Sequence, residues 1–228
     1  MALPGCFVTG TDTGAGKTAV AAALVAALRA RGTAVGALKP VVTGLDEQVA
    51  GAWPPDHELL ARVSGQTPEE VAPFRYGPAV SPHLAAELAG AVLEPAALRA
   101  CVERAIANAE VLVVEGVGGV MVPIAPGYDV LALAGDVGLP LVIAARPGLG
   151  TINHTLLTID AARRAALQIA GVVLTPWPEH PGEIELSNRE TIARLGRVPV
   201  ATLPELERPE PSLLAGVGSL LPLDQWLS

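Results

Sequence analysis

The segment FVTGTDTGAGKTAV, residues 7–20, gathers three glycines, Gly10, Gly14 and Gly16, in front of Lys17 and Thr18. That grouping suits a phosphate chain. Glycines let the backbone turn its N–H groups toward an anion, a lysine reaches the β- and γ-phosphates, and the threonine hydroxyl can ligate Mg²⁺. A helix starting at this point adds the positive end of its dipole. The spacing is unusual in one respect. The usual pattern is a glycine, four residues, then Gly-Lys-Ser/Thr. Here the first of these positions holds Thr11, and the nearest glycine, Gly10, falls one residue early. The displacement alters the mouth of the loop but leaves Gly16, Lys17 and Thr18 in place, so a nucleotide site is expected.

The other candidates are Lys39, Asp56 and Glu115. Of 15 basic residues only Lys17 and Lys39 are lysines. Lysine is a compact point charge and arginine a broad planar fork, a difference that matters at a tight phosphate site. Lys39, in LKPVVTG, is placed to stabilise charge on a phosphoryl group in transfer or on the attacking oxygen. Asp56, in PPDHELL, either caps the helix that begins there or completes a Mg²⁺ shell. Glu115 ends the apolar run of VLVVEG, where a carboxylate buried without a partner would be costly. With Thr18 it makes a candidate Mg²⁺ site, the remaining positions going to phosphate oxygens and water. Gly116, Gly118 and Gly119 leave room for a ligand against that strand. The N–H groups of GLGTINH, residues 148–154, ahead of a long helix, suit a carboxylate. His154 in that segment reads as structural, and His57, His83 and His180 lack metal-like spacing.

These residues fall at the exits of strands in an alternating pattern. Strands are expected over 5–10, 34–40, 110–116, 139–145, 169–175 and 198–204. Helices are expected over 17–31, 56–65, 81–90, 94–109, 151–167 and 182–196, with a closing helical segment over 212–228. Such alternation implies right-handed crossovers and a mostly parallel sheet with helices on both faces, in one α/β domain spanning 1–228. Ligands of such sheets bind beyond the C-terminal strand ends. The chain has 228 residues and a net charge of −8, which argues against nucleic-acid binding through a basic stripe. Its apolar runs are too short or too broken to span a membrane, and no signal peptide is visible, so a cytoplasmic protein is expected. The two cysteines, Cys6 and Cys101, offer no disulfide framework and read as buried thiols.

Taken together, VTGTDTGAGKT, KPVVTG, SPH, VEGVGG, LGTINH and LPELE resemble the dethiobiotin synthetase family, in the family's order and along almost the whole chain. The resemblance implies a P-loop NTPase-like fold, a homodimer and ATP with Mg²⁺ as the nucleotide. The reaction it implies converts 7,8-diaminopelargonic acid, CO₂ and ATP to dethiobiotin, ADP and phosphate. It further implies that Gly14, Ala15, Gly16, Lys17, Thr18 and Ala19 wrap the triphosphate. Thr18, Asp56 and Glu115 would hold Mg²⁺, with Gly116, Val117 and Gly118 alongside the nucleotide. Lys39 would be the catalytic lysine, with Lys17 beside it. Thr43 and Ser81 would touch the diamine or its carbamate, and Gly150, Thr151, Ile152 and Asn153 would bind the substrate carboxylate near the dimer interface. Pro204, Glu205 and Leu206 would border the nucleoside. Thr175 departs from the family, many of whose members have an asparagine there to read adenine. A hydroxyl cannot copy the paired donor and acceptor of an amide, so loose base selectivity is expected. Two rivals are disfavoured. A partitioning ATPase usually has a signature lysine where this chain has Asp12, and an amidating ligase carries a further glutaminase domain.

Overall fold

The computed structural model describes residues 4–47 and 53–227. In chain order the strands are β1 (Gly5–Gly10), β2 (Val35–Leu38), β3 (Val41–Val42), β4 (Phe74–Arg75), β5 (Val111–Gly119), β6 (Pro123–Ala125), β7 (Tyr128–Asp129), β8 (Leu141–Ala145), β9 (Ile169–Trp177) and β10 (Val200–Pro204). The helices are α1 (Lys17–Ala30), α2 (Asp56–Ser64), α3 (Pro68–Val71), α4 (Pro82–Leu88), α5 (Pro95–Ala107), α6 (Val130–Val137), α7 (Thr151–Arg164), α8 (Glu183–Gly196), α9 (Pro211–Gly218) and α10 (Leu223–Trp226).

Six strands form one parallel sheet in the order β10-β9-β8-β1-β5-β2. Its strands are apolar on both faces because both faces are covered. Successive side chains alternate between the layers. Cys6, Val8, Val142 and Ala144 pack with α1, α2, α9 and α10 on one face. Phe7, Leu112 and Leu141 pack with α5 and α6 on the other. Ile143, Ala145, Val172 and Leu174 join α7 and α8 further along that second face. Both cysteines are buried free thiols, and burial pushes Cys6 up to about 12 and Cys101 to about 11. Among the described residues no helix is long and apolar enough to cross a membrane.

The sequence reading omits one helix and misplaces one strand end. Helix α6 is only eight residues long, and its apolar residues lead straight toward those of β8. Glu115 does not end its strand. β5 runs on to Gly119, and Glu115 lies in register with Val8 before the pairing slips and resumes at Gly10 and Gly119. The glycines that suggested an exit stay in the strand because their partner, β1, also remains extended to Gly10.

Candidate active site

β1 occupies the middle of the sheet, and its exit carries residues 11–16 into α1. Gly16, the N-cap residue of α1, has φ 90°, a left-handed conformation that favours glycine. A Cβ there would also come within 2.4 Å of Thr175 Cγ2. The loop is folded over its own lysine, whose Nζ donates to the Asp12 carbonyl at 2.9 Å. The lysine stem crosses Gly10, where a Cβ would stand 2.9 Å from Lys17 Cγ. This accounts for the early glycine: the bare position is needed under the lysine stem. Thr11 needs no such room, and its N–H donates to the Ala144 carbonyl of β8 at 3.0 Å. Burial, followed by the nearby Lys39 ammonium, lowers the Lys17 pKa.

Lys39 follows β2 and is only 4% exposed. Its ammonium is paired with Asp56 at 2.6 Å and with Glu115, which it also hydrogen-bonds. Burial opposes its charge, but Asp56 and Glu115 outweigh burial and hold its pKa above the ordinary lysine value. Burial likewise opposes charge on Asp56, yet Lys39 and hydrogen bonds from Lys39 and Thr18 keep it below the ordinary aspartate value. Glu115 is the exception: burial raises its pKa, and the attraction of Lys39 does not fully cancel that effect. Asp56 does not cap α2; Pro55 holds the N-cap position and Asp56 begins the helix, facing Lys39 instead.

Thr18 Oγ1 donates to Glu115 Oε1 at 2.9 Å, and Glu115 Oε2 is buried with no partner. Among the described residues no three or more His, Cys, Asp or Glu side chains are grouped to hold a metal. Two carboxylates, one with an orphaned oxygen, and one hydroxyl are a hard oxygen donor set that fits Mg²⁺, an ion that keeps several water and phosphate ligands.

These groups open onto a cavity of about 760 Å³. Gly14, Gly16, Lys17, Thr18 and Ala19 line it at the β1 exit, with Val117 and Gly118 of β5 beside them. On the β2 side lie Lys39, Asp56, Thr43 and Ser81. Ser81 is the N-cap residue of α4, yet its side chain caps nothing. On the opposite side of β1, the exits of β9 and β10 contribute Thr175, Pro204, Glu205 and Leu206. Glu115 lies beneath the floor, 1% exposed. Besides Glu115, three expectations fall outside the lining. Ala15 is buried under the loop. Gly116 faces away from the cavity, since a Cβ there would meet the Phe7 ring at 3.1 Å and Val130 at 3.2 Å. Gly150, Thr151, Ile152 and Asn153 begin α7 and line no part of this chain's cavity. Sequence reasoning missed Trp53 and Val122, which do line it. It also missed Arg146, whose guanidinium donates to the Thr13 and Gly14 carbonyls of the loop at 3.1 and 3.2 Å. Arg146 stands at a strand exit, but as one of 13 arginines its residue type carries no distinguishing signal.

A phosphate-loop nucleotide-binding α/β domain is the class that this fold and site define, and a family model described as an AAA domain matches residues 5–211. Solved structures agree on the fold. The cell division ATPase MinD of Pyrococcus furiosus aligns at TM-score 0.54 and 19% identity, covering 97% of this chain and 90% of that one. A ParA family ATPase from Chlorobium tepidum aligns at 0.57 and 14%, covering 96% and 92%. Sequence relatives are closer in kind. The ATP-dependent dethiobiotin synthetase BioD of Anaeromyxobacter dehalogenans strain 2CP-C is 40% identical over 203 residues, 88% of this chain and 89% of its own. That of Haloferax mediterranei is 36% identical over 224 residues, 97% and 93%. The chain belongs to the ATP-dependent dethiobiotin synthetase family.

Proposed function

We propose that this protein closes 7,8-diaminopelargonate and CO₂ into the cyclic urea dethiobiotin at the expense of ATP, a step of biotin synthesis. One observation carries the reading at the level of geometry. The phosphate loop and the Thr43–Ser81 wall open onto the same cavity, with the Lys39 ammonium between them, so a nucleotide and a second substrate can meet across a buried cation.

One amine of the diamine adds to CO₂ and loses a proton, giving a carbamate. A carbamate oxygen attacks the γ-phosphorus while the bond to ADP breaks, and a carbamic–phosphoric anhydride results. The second amine attacks the carbamoyl carbon, a proton leaves and phosphate departs as the ring closes. None of these steps asks for a nucleophilic side chain. They ask for positive charge where the phosphoryl oxygens gather, which Lys17 and Lys39 supply. Thr18, Asp56 and Glu115 would hold Mg²⁺, which when bound neutralises phosphate charge. Gly14, Ala15, Gly16, Lys17, Thr18 and Ala19 cradle the triphosphate, while Thr43 and Ser81 orient the diamine or its carbamate. Thr175, Pro204, Glu205 and Leu206 border the nucleoside, and the hydroxyl at Thr175 leaves base selectivity loose. A homodimer supplies the remaining part: Gly150, Thr151, Ile152 and Asn153, outside their own chain's cavity, receive the carboxylate of a substrate bound near the interface.

The test is phosphate release from Mg²⁺-ATP, bicarbonate and 7,8-diaminopelargonate, with each component omitted in turn. Release that needs both diamine and bicarbonate, with equal dethiobiotin by mass, is expected. Release indifferent to the diamine would instead make the protein a switch ATPase like its fold neighbours.

A further inference from the structure

Arg146 is the first residue beyond β8, and it stands behind the phosphate loop rather than in the cavity lining. Two donors on one edge of its guanidinium serve two consecutive loop carbonyls: Nη2 to Thr13 O at 3.1 Å and Nε to Gly14 O at 3.2 Å. The segment that carries Arg146 is itself anchored. The largely buried Asn188 of α8 donates through Nδ2 to Pro147 O at 2.8 Å and to Gly148 O at 3.1 Å. The loop closes tightly on the guanidinium, since a Cβ at Gly14 would stand 2.9 Å from Arg146 Nη2.

In a trans peptide the C=O and the following N–H point in opposite directions. Fixing the carbonyl of Thr13 therefore fixes the N–H of Gly14, and fixing that of Gly14 fixes the N–H of Ala15. Both N–H groups are thereby turned away from Arg146, and Gly14 itself lines the cavity. Among the described residues neither N–H has a protein acceptor. From this geometry we infer that Arg146 is a positioning residue for nucleotide binding: it holds the Thr13 and Gly14 carbonyls outward so that the Gly14 and Ala15 N–H groups face the phosphates before nucleotide arrives. The role also gives the displaced glycine a consequence. With Thr11 at the usual glycine position, the loop mouth is braced from β8, through Thr11 N–H to Ala144 O and through Arg146, rather than by the compact turn of the ordinary motif.

The inference rests on the reading of the loop as a nucleotide site, and the test separates the two. ADP binding with Mg²⁺ is measured by calorimetry for wild type, Arg146→Ala and Arg146→Lys, with no diamine present, alongside melting temperatures. Wild type should bind; absence of binding would remove the nucleotide reading itself. Arg146→Ala should raise the Kd about tenfold or more, the scale of charge-assisted hydrogen bonds lost at one site. Arg146→Lys keeps the charge, but one nitrogen cannot reproduce a two-donor edge, so its Kd should stay about threefold or more above wild type. In turnover assays the KM for ATP should rise in both variants with kcat at saturating ATP little changed. A lysine variant that binds like wild type would reduce Arg146 to a distant charge, and an alanine variant that binds like wild type while melting lower would reduce it to a structural tie. Either result overturns the inference.

Discussion

At the scale of single residues, the candidate site gathers its charges around one buried ammonium, that of Lys39. Lys17 and Thr18 were legible from the glycines ahead of them, Asp56 from its place opening PPDHELL, and Lys39 and Glu115 because each follows an apolar run, where burial without a task would be costly. Their mutual pairing was not legible, since it depends on which strands lie next to one another. Lys39 is held by the two carboxylates that also form the candidate Mg²⁺ site, so lysine and metal would draw on the same oxygens. Lys39→Arg tests how closely this geometry is set. The guanidinium keeps the charge but is planar, bulkier and forked, in a place where Lys39 is 4% exposed. Turnover is expected to fall about a hundredfold or more, as when a preorganised donor to a developing charge is lost. The Kd for ADP should remain within about threefold of wild type, because the loop and Lys17 are untouched. Near-normal turnover, measured as dethiobiotin formed per enzyme, would remove Lys39 from the mechanism.

At the scale of elements, strands and long helices were readable and contacts between helices were not. β5 and β8 were readable as short, bounded apolar runs because both of their faces are covered, whereas α6 is short and its apolar residues lead straight toward those of β8. The C-terminal segment was readable only as something that closes the fold. In the structure it becomes α9 and α10, and α9 packs directly on α1, the helix that begins at the phosphate loop. Alanine after alanine in α1 permits that approach, and Gly218 completes it: a Cβ there would stand 2.1 Å from the backbone oxygen of Ala23. No rotamer change can relieve a clash with backbone. Gly218→Ala should therefore push α9 off α1 and cost about 1–3 kcal/mol, the usual scale of overpacking. For a chain of this length that is a fall of roughly 2–12 °C in Tm. An unchanged Tm in a thermal melt would mean that the helix end shifts freely and that the α1–α9 contact is loose.

At the scale of the whole molecule, fold and task separate. The parallel sheet is shared with MinD and ParA ATPases at 14–19% identity, so architecture alone would not distinguish a synthetase from a switch. The distinction lies in the site and in what surrounds it. One part of the proposed site, the α7 N-terminus with Gly150, Thr151, Ile152 and Asn153, cannot be completed by a single chain's cavity. Two large apolar side chains are exposed in this region: Leu149, just ahead of α7, at 97%, and Leu157, further along α7, at 60%. Exposed leucines next to the turn proposed to bind a carboxylate suit the face that a second copy would cover in the proposed dimer. Leu149→Asp puts a charge at that face without disturbing the packing of its own chain, since the side chain touches little there. By light scattering wild type should run as a dimer, and at the same concentration the variant should run as a monomer. It should bind ADP like wild type, because the phosphate loop lies elsewhere, while its KM for 7,8-diaminopelargonate should rise by about tenfold or more, the loss of one charge-assisted anchor. A variant that stays dimeric would place the interface on another face, and a monomer with an unchanged KM would place the carboxylate site within one chain.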